Sequence, residues 1–456
     1  MRFLRDSLTT LISLGGTFLL GIISSVLTAR LLGVEGKGIL TLVFLLPSLC
    51  VSLTGLGQGS ATAYFLRRRE VAAGPLFANS ILVALVATVV SVAGVLALWP
   101  WLGHRVVPGV SAEMAALGMA RVPLALVADF ALYLLLGSQQ VVRMNAASLA
   151  GQVSSIGMLV VALLVFQVGV RGAIIASLLG AVASLVIVLR AVRETLGRDA
   201  LRFRPDLRAL TNSISYGARE HLGNLAMFLA YRVDVFFVAA YGGAKAVGIY
   251  AIAVMLAEMF FYLPHAVSTA LFPRVTGDAA GDAAQVTART VRMASGIVWV
   301  GALISLPLVE PVIRLGFSDA FVPAATAFFA LLPGVYAMSL SKVMSPYFTG
   351  TLGQPGIVAR TALVAVAINI PLNFVLIPRF GIVGAAAASS VAYVAHAAVS
   401  LFIFRRHSGI SFSEILFPRQ EDVAWVAASL PALRPSALAA RLATARLRAQ
   451  GRRANA

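Results

Sequence analysis

Apolar residues along this chain gather into runs of roughly 20, separated by short stretches rich in Arg, Gly and Pro. A run of that length crosses a bilayer core of about 30 Å as a helix. The runs place spans at approximately 8–29, 39–62, 76–98, 114–136, 145–167, 172–192, 211–239, 247–272, 293–313, 322–347, 357–377 and 382–404. The period-two alternation of a membrane barrel is absent, so helices must satisfy the backbone within lipid. The expected fold class is all-α, a polytopic membrane protein of about twelve transmembrane helices.

The pattern is written twice, about 210 residues apart. Val168-Gly-Val-Arg-Gly172-Ala-Ile-Ile-Ala-Ser177 matches Phe380-Gly-Ile-Val-Gly384-Ala-Ala-Ala-Ala-Ser389. Gly33-Val-Glu-Gly-Lys-Gly38 matches Gly243-Ala-Lys-Ala-Val-Gly248, and Thr62-Ala-Tyr-Phe-Leu-Arg67 matches Thr269-Ala-Leu-Phe-Pro-Arg274. Pro123 and Gly137 answer to Pro333 and Gly350. The order is conserved, which predicts two six-helix repeats related by a pseudo-twofold along the membrane normal, with a cleft between them that can open to either side. The organisation expected is residues 1–189 as one half, 190–208 as a basic cytoplasmic linker, 209–404 as the second half and 405–456 as a basic cytoplasmic tail. Leu196, Leu201, Phe203 and Leu207 of the linker are available to sit in the membrane interface while its arginines meet lipid headgroups.

Composition supports this class. Hydrophobic residues are 59% and charged residues 12%, with mean hydropathy +0.91, against about 25% charged in soluble domains. The net charge of +18 invites a nucleic-acid reading until it is located. With both termini cytoplasmic, about 25 of the 36 Lys and Arg fall on the cytoplasmic side, among them Arg67, Arg68 and Arg69, the linker arginines, and Arg405 and Arg406. The charge therefore reports orientation and anionic lipid as a partner, with no nucleic acid. The first span is read as uncut, because it recurs as the seventh and is long for a signal core. The lone Cys50 allows no intrachain disulfide. Loops are short, and HExxH, Walker and nucleophile-elbow motifs and metal-spaced Cys/His clusters are missing, so the chain reads as no enzyme and calls for no cofactor or metal.

Several stretches together resemble a known family: Ala29-Arg-Leu-Leu-Gly33 closing the first span, Pro47, Arg232-Val-Asp234, Gly248-Ile-Tyr-Ala-Ile-Ala253 with Leu256-Ala-Glu258, and Leu271-Phe-Pro-Arg274. Over about residues 1–410 the chain resembles Wzx-type oligosaccharide flippases, the polysaccharide transporter branch of the multidrug/oligosaccharidyl-lipid/polysaccharide superfamily. The resemblance implies movement of an undecaprenyl-diphosphate-linked sugar unit across a bacterial inner membrane by alternating access, with a coupling ion (proton or sodium) and a polysaccharide polymerase as further partners. A cation-coupled multidrug exporter and a lipid II flippase of the same superfamily are the alternatives, and a membrane sugar polymerase or ligase the more distant one.

Charges inside spans are where such chemistry would sit, since each costs at least about 2.5–3.5 kcal/mol at the bilayer centre unless it meets a partner or water. Arg232 and Asp234 fall near the middle of the seventh span and Glu258 near the middle of the eighth. Their first-half counterparts in the repeat register are Ile22 and Ser24 for the seventh-span pair. They read either as an internal ion pair or as a site in which Arg232 meets an anionic headgroup while Asp234 and Glu258 exchange a coupling ion. Arg121 and Lys342 complete a candidate cationic lining suited to a diphosphate, and Asp129 a third candidate coupling carboxylate. For Lys342 the competing reading is snorkelling to the headgroups. Glu258 and His265 share a face of the eighth helix, though an interfacial role suits His265 better.

Overall fold

The protein is seen here as a computed structural model that describes residues 2–262, 264 and 283–416. Regular structure among the described residues is helical: α1 (Arg2–Thr54), α2 (Gln58–Arg67), α3 (Ala73–Arg105), α4 (Ala112–Met119), α5 (Arg121–Gly137), α6 (Val141–Leu164), α7 (Val170–Leu196), α8 (Leu207–Glu258), α9 (Ala283–Gly316), α10 (Ala324–Pro346), α11 (Gly356–Ser408) and α12 (Phe412–Leu416), with short 3-10 and π turns between them. Nine helical runs among these residues are long and apolar enough to cross a membrane.

Three of the nine cross twice. In α1, α8 and α11 the helical backbone is interrupted at Gly33 (φ 68°), Gly243 (φ 71°) and Gly381 (φ 56°), left-handed conformations that a side chain would oppose. At 1.5 Å per residue a straight helix holds residues nine apart about 14 Å from each other and residues 16 and 20 apart about 24 and 30 Å. Yet Lys37 Nζ donates to Thr28 Oγ1 at 3.0 Å, Tyr250 OH to Asp234 Oδ2 at 2.5 Å, and Asn369 Nδ2 to Ser389 Oγ at 3.1 Å. Each long helix is therefore a hairpin folded at its glycine, which brings the apolar segments to twelve. The protein is a multi-pass membrane protein. Its lipid-facing sides carry exposed apolar residues such as Val86, Val89 and Val90 on α3 and Ile297, Val300 and Ile304 on α9, as a bilayer solvent demands.

Two spans differ from the sequence expectation in a way that backbone chemistry explains. The second ends at Thr54, breaks at Gly57 (φ 65°) and resumes as α2. The fourth is divided at Ala120 into α4 and α5, where Pro123 has no N–H to offer the Met119 carbonyl one turn back. The linker also departs from a loose interfacial strand. Leu196 and Leu201 pack into an apolar cluster of the N-terminal repeat, while Phe203 and Leu207 stay exposed. Asn79 clamps the backbone of Asp206 from both sides, donating to its carbonyl at 2.8 Å and accepting its N–H at 3.0 Å. The repeat segment Thr269–Arg274, the motif Leu271–Arg274, His265 and the tail from 417 on lie outside the described residues.

The hairpins of α1 and α8 cross at their tips. A Cβ on Gly38 would fall 1.8 Å from the Ala244 carbonyl oxygen, and one on Gly248 would fall 2.0 Å from that of Val34. The two contacts are reciprocal: Val34 and Gly38 meet the residues that stand 210 positions after Gly38 and Val34 respectively. Arg30 adds a polar latch across the repeats, donating from Nε to the Gly316 carbonyl at 2.9 Å and from its terminal nitrogen to that of Leu315. At this face of the molecule, the tip face, the two repeats are thereby held in direct contact.

Candidate functional site

Below the crossed tips, α1 and α8 part to leave a cavity of about 420 Å³. Its lining follows from helix geometry. Thr41, Phe44, Leu45 and Ser48 recur at the spacing of one helix face, as do Ala251, Val254, Met255 and Glu258 on the other hairpin. Six pairs of lining residues are separated by the same 210 positions: Ile22 and Arg232, Ser25 and Val235, Thr41 and Ala251, Phe44 and Val254, Leu45 and Met255, Ser48 and Glu258. The cavity lies on the axis that relates the repeats, and the register that sets Arg232 against Ile22 is the register of the fold.

Chemistry on the two walls differs. Arg232 donates from Nη2 to Glu258 Oε2 at 2.9 Å, with the side chains 34% and 26% exposed. They stand on opposite arms of the α8 hairpin, about 16 Å and 22 Å below its tip glycine at 1.5 Å per residue, near the middle of a core about 30 Å thick. The equivalent positions on the α1 wall are Ile22 and Ser48. That wall instead supplies Lys37, just below its own tip. Thr28 Oγ1 accepts from the ammonium while its own hydroxyl donates back to the Ser24 carbonyl at 2.8 Å. Among the described residues the charged lining groups are Lys37, Arg232 and Glu258, one more positive than negative.

The sequence-predicted residues are divided by the structure. Arg232 and Glu258 line the cavity as a pair. Asp234, two residues from Arg232 and 2% exposed, faces into the C-terminal repeat. Its Oδ2 accepts from Tyr250 OH at 2.5 Å and Ser389 Oγ at 2.8 Å, and its Oδ1 from the Val235 N–H at 2.8 Å. Asn369 donates to Ser389 Oγ at 3.1 Å and Asn373 to Asn369 Oδ1 at 2.6 Å, so the carboxylate ends a polar chain that ties α8 to both arms of α11. Arg121 lies behind the lining, its guanidinium carbon 4.5 Å from the centre of the Phe44 ring. Lys342 is set among aromatic rings of the C-terminal repeat, 5.1 Å from Tyr231 and 4.8 Å from Phe261, and is absent from the lining. Asp129 is an exposed residue of α5, also outside it.

Lys37 is the residue that sequence reasoning missed. It stands inside the repeat segment Gly33–Gly38, where it served only as a register marker. The available signal was its distance from Gly33: a lysine four residues past a hairpin glycine is already one turn inside the membrane. Its counterpart at the same offset is the fully buried Val247, so the α1 hairpin carries a charge where the α8 hairpin carries core.

A family model described as polysaccharide biosynthesis protein matches residues 3–277, and one named MatE matches residues 221–375. Among curated proteins the chain is 24% identical over 262 residues to the "Probable low-salt glycan biosynthesis flippase Agl15" of Haloferax volcanii, covering 56% of this chain and 53% of that protein. It is 25% identical over 191 residues to the "Probable flippase AglR" of the same organism, covering 41% and 40%. The chain spans about half the length of the curated relatives it matches. Among solved structures, the lipid II flippase MurJ in an inward closed conformation superposes with a TM-score of 0.70 at 13% identity, covering 88% of this chain and 87% of that one. A multidrug resistance MATE family transporter of the MOP superfamily, inward-facing, superposes with a TM-score of 0.67 at 16% identity, covering 86% and 94%. At those identities the likeness is one of fold.

Proposed function

The chain belongs to the polysaccharide biosynthesis protein family, and from that premise we propose that it is a flippase for a polyprenyl-diphosphate-linked oligosaccharide in glycan assembly. The observation that carries the reading is the cavity on the pseudo-twofold axis, lined by six equivalent pairs and bearing Arg232 at mid-membrane. Alternating access needs a site shared by two like halves that can part on either side. A charge that survives at the bilayer centre points to protein or water rather than lipid.

In this reading the diphosphate enters the cavity and competes with Glu258 for Arg232, the polyprenyl tail remains in the bilayer, and the halves on either side of the 190–208 linker rock about the crossed tips. The basic linker face is cytoplasmic and the tip face exterior, in a bacterial plasma membrane, with a polymerase taking the product on the outside. The flippase names of the two archaeal relatives support the activity class. Arg121 and Lys342 hold supporting positions, Arg121 by fixing Phe44 in the lining and Lys342 by its cation–π contacts beneath the C-terminal wall. Ion coupling is assigned to the carboxylates: Glu258 in the cavity, Asp234 at the head of the Ser389–Asn369–Asn373 chain, and Asp129 on the N-terminal repeat. Protonation or a sodium ion at Asp234 changes how tightly α8 is held to α11, and a shift of one pKa unit amounts to about 1.4 kcal/mol between the two states.

The experiment is reconstitution in vesicles with a prenyl-diphosphate oligosaccharide in the outer leaflet only, followed by its protection from an impermeant glycosidase. Protection that needs the protein and is lost in Arg232→Ala, with unchanged folded yield, is the expected result; protection that persists in Arg232→Ala overturns the reading. A second reading rests on the MatE match, which spans Arg232, Asp234 and Glu258: a cation-coupled exporter. Proton- or sodium-driven efflux of an organic cation from the same vesicles, with no glycolipid protection, would establish it.

A further inference from the structure

Among the described residues the cavity is lined by three charged groups, and only two of them neutralise each other. Glu258 is paired with Arg232 at 2.9 Å, whereas Lys37, on the opposite wall, is held by a hydroxyl rather than by a carboxylate. Thr28 accepts one of the three ammonium hydrogens, and among the described residues no salt bridge reaches Lys37. Its location is as informative as its charge. The next residue, Gly38, makes the backbone approach to Ala244 and Gly248 that joins the repeats at the tip face. An anion drawn into the cavity therefore meets Lys37 at the junction of the two halves and Arg232 on the facing wall.

We propose that Lys37 is an anion-binding residue of the cavity, taking one phosphate of a diphosphate while the other phosphate displaces Glu258 from Arg232. Glu258 then acts as an internal stand-in for substrate: it holds Arg232 when the cavity is empty and gives it up when a stronger anion arrives. The division of labour has a physical basis. Arg232 is screened by its own counter-ion, so it selects by geometry, and Lys37 supplies the net attraction that brings an anion into a largely apolar cavity. Ammonium and guanidinium suit these parts, the first as a compact point charge and the second as a planar fork for oxygen pairs. Thr28 holds the ammonium within the α1 hairpin.

This assignment rests on the flippase reading above, and a binding experiment separates the two. The full chain in nanodiscs is titrated with geranylgeranyl diphosphate and with geranylgeraniol. Wild type is expected to prefer the diphosphate, Lys37→Met to bind it about tenfold more weakly with no change for the alcohol, and Lys37→Arg to restore it to within about threefold; a factor of ten corresponds to about 1.4 kcal/mol. Glu258→Gln is expected to bind the diphosphate several-fold more tightly, because Arg232 loses its competing anion. Affinity in wild type should also fall more steeply with salt than in Lys37→Met. Should Lys37→Met fail to fold, Lys37→Gln carries the same comparison. Undiminished diphosphate binding in the lysine variant, with a clear loss in Arg232→Gln, overturns the role of Lys37 and leaves the flippase reading standing. Equal affinity of wild type for diphosphate and alcohol overturns the anion-binding cavity itself, and both readings with it.

Discussion

The two hairpins that wall the cavity present equivalent positions and unlike chemistry. From α8 come Arg232 and Glu258, bonded to each other; from α1, at the same register, come Ile22 and Ser48. Conversely, α1 places Lys37 where α8 buries Val247. Backbone features are shared to within a few degrees, with φ/ψ of 68°/−174° at Gly33 and 71°/−175° at Gly243. Symmetry is thus kept where the chain must turn and where the halves touch, and abandoned where side chains face the cavity. On the proposed function the asymmetry has a reason: a headgroup with a diphosphate at one end and sugars at the other has no twofold, and a cavity that binds it gains nothing from one.

The sharpest way to break the comparison is at the shared backbone. Gly38→Val sets a branched side chain where even a Cβ would stand 1.8 Å from the Ala244 oxygen. The tips must separate, and vesicle transport should fall by about a hundredfold or more, because strain of this kind exceeds the usual overpacking cost of about 1–3 kcal/mol. Transport near the wild-type rate would show that the crossed tips are not part of the cycle.

Exchanging the walls comes next. With Ile22→Arg and Ser48→Glu combined with Arg232→Ile and Glu258→Ser, the ion pair moves to the opposite hairpin at the same depth. If the register alone matters, the quadruple variant should recover transport to within about tenfold of wild type, against a complete loss in Arg232→Ile alone. Should the exchange fold and still not transport, the pair works only from the C-terminal wall, beside the Asp234 chain.

Asp234 tests the C-terminal wall from behind. Replacing the carboxylate by Asp234→Ala leaves the buried Tyr250 and Ser389 hydroxyls without their acceptor, at about 1–3 kcal/mol for each group stranded. Folded yield and melting temperature should drop clearly. Asp234→Asn keeps an acceptor and should fold better, so it reports on coupling: transport insensitive to an imposed proton or sodium gradient is the expected outcome, and an undiminished response removes Asp234 from the coupling site. The smallest effect is expected at Arg68, whose bonds to Tyr64 and Glu70 lie on the exposed linker face. Arg68→Ala should leave the melting temperature essentially unchanged, as expected for an exposed pair.

Much of this was legible in the sequence because a bilayer imposes length and polarity on every span. The repeat register was legible too: the offset that aligned Gly33 with Gly243 also aligned Ile22 with Arg232, and all four positions now have structural counterparts. Arg232 and Glu258 could be singled out because a mid-span charge is costly enough to be conspicuous. Lys37 is inconspicuous in the sequence because it falls between two apolar runs, and only the hairpin brings its ammonium back to Thr28. The direction of Asp234 was hidden as well. Residues 232 and 234 are two apart, about 200° around a helix, so they face different ways, and sequence alone does not say which of them faces the cavity.

What the sequence determined by itself was therefore the local and periodic part: helices from apolar runs, turns in the glycine-bearing stretches between them, and two repeats 210 residues apart. Tertiary structure alone decided which face of each helix meets lipid, core or cavity, and so which charges share a space. Arg232 found Glu258, Lys37 found Thr28, and Arg121 and Lys342, themselves outside the lining, settled against aromatic rings. The reason is physical: burial and pairing depend on rotations and crossings of helices, and in lipid an apolar residue does not distinguish an outer face from an inner one.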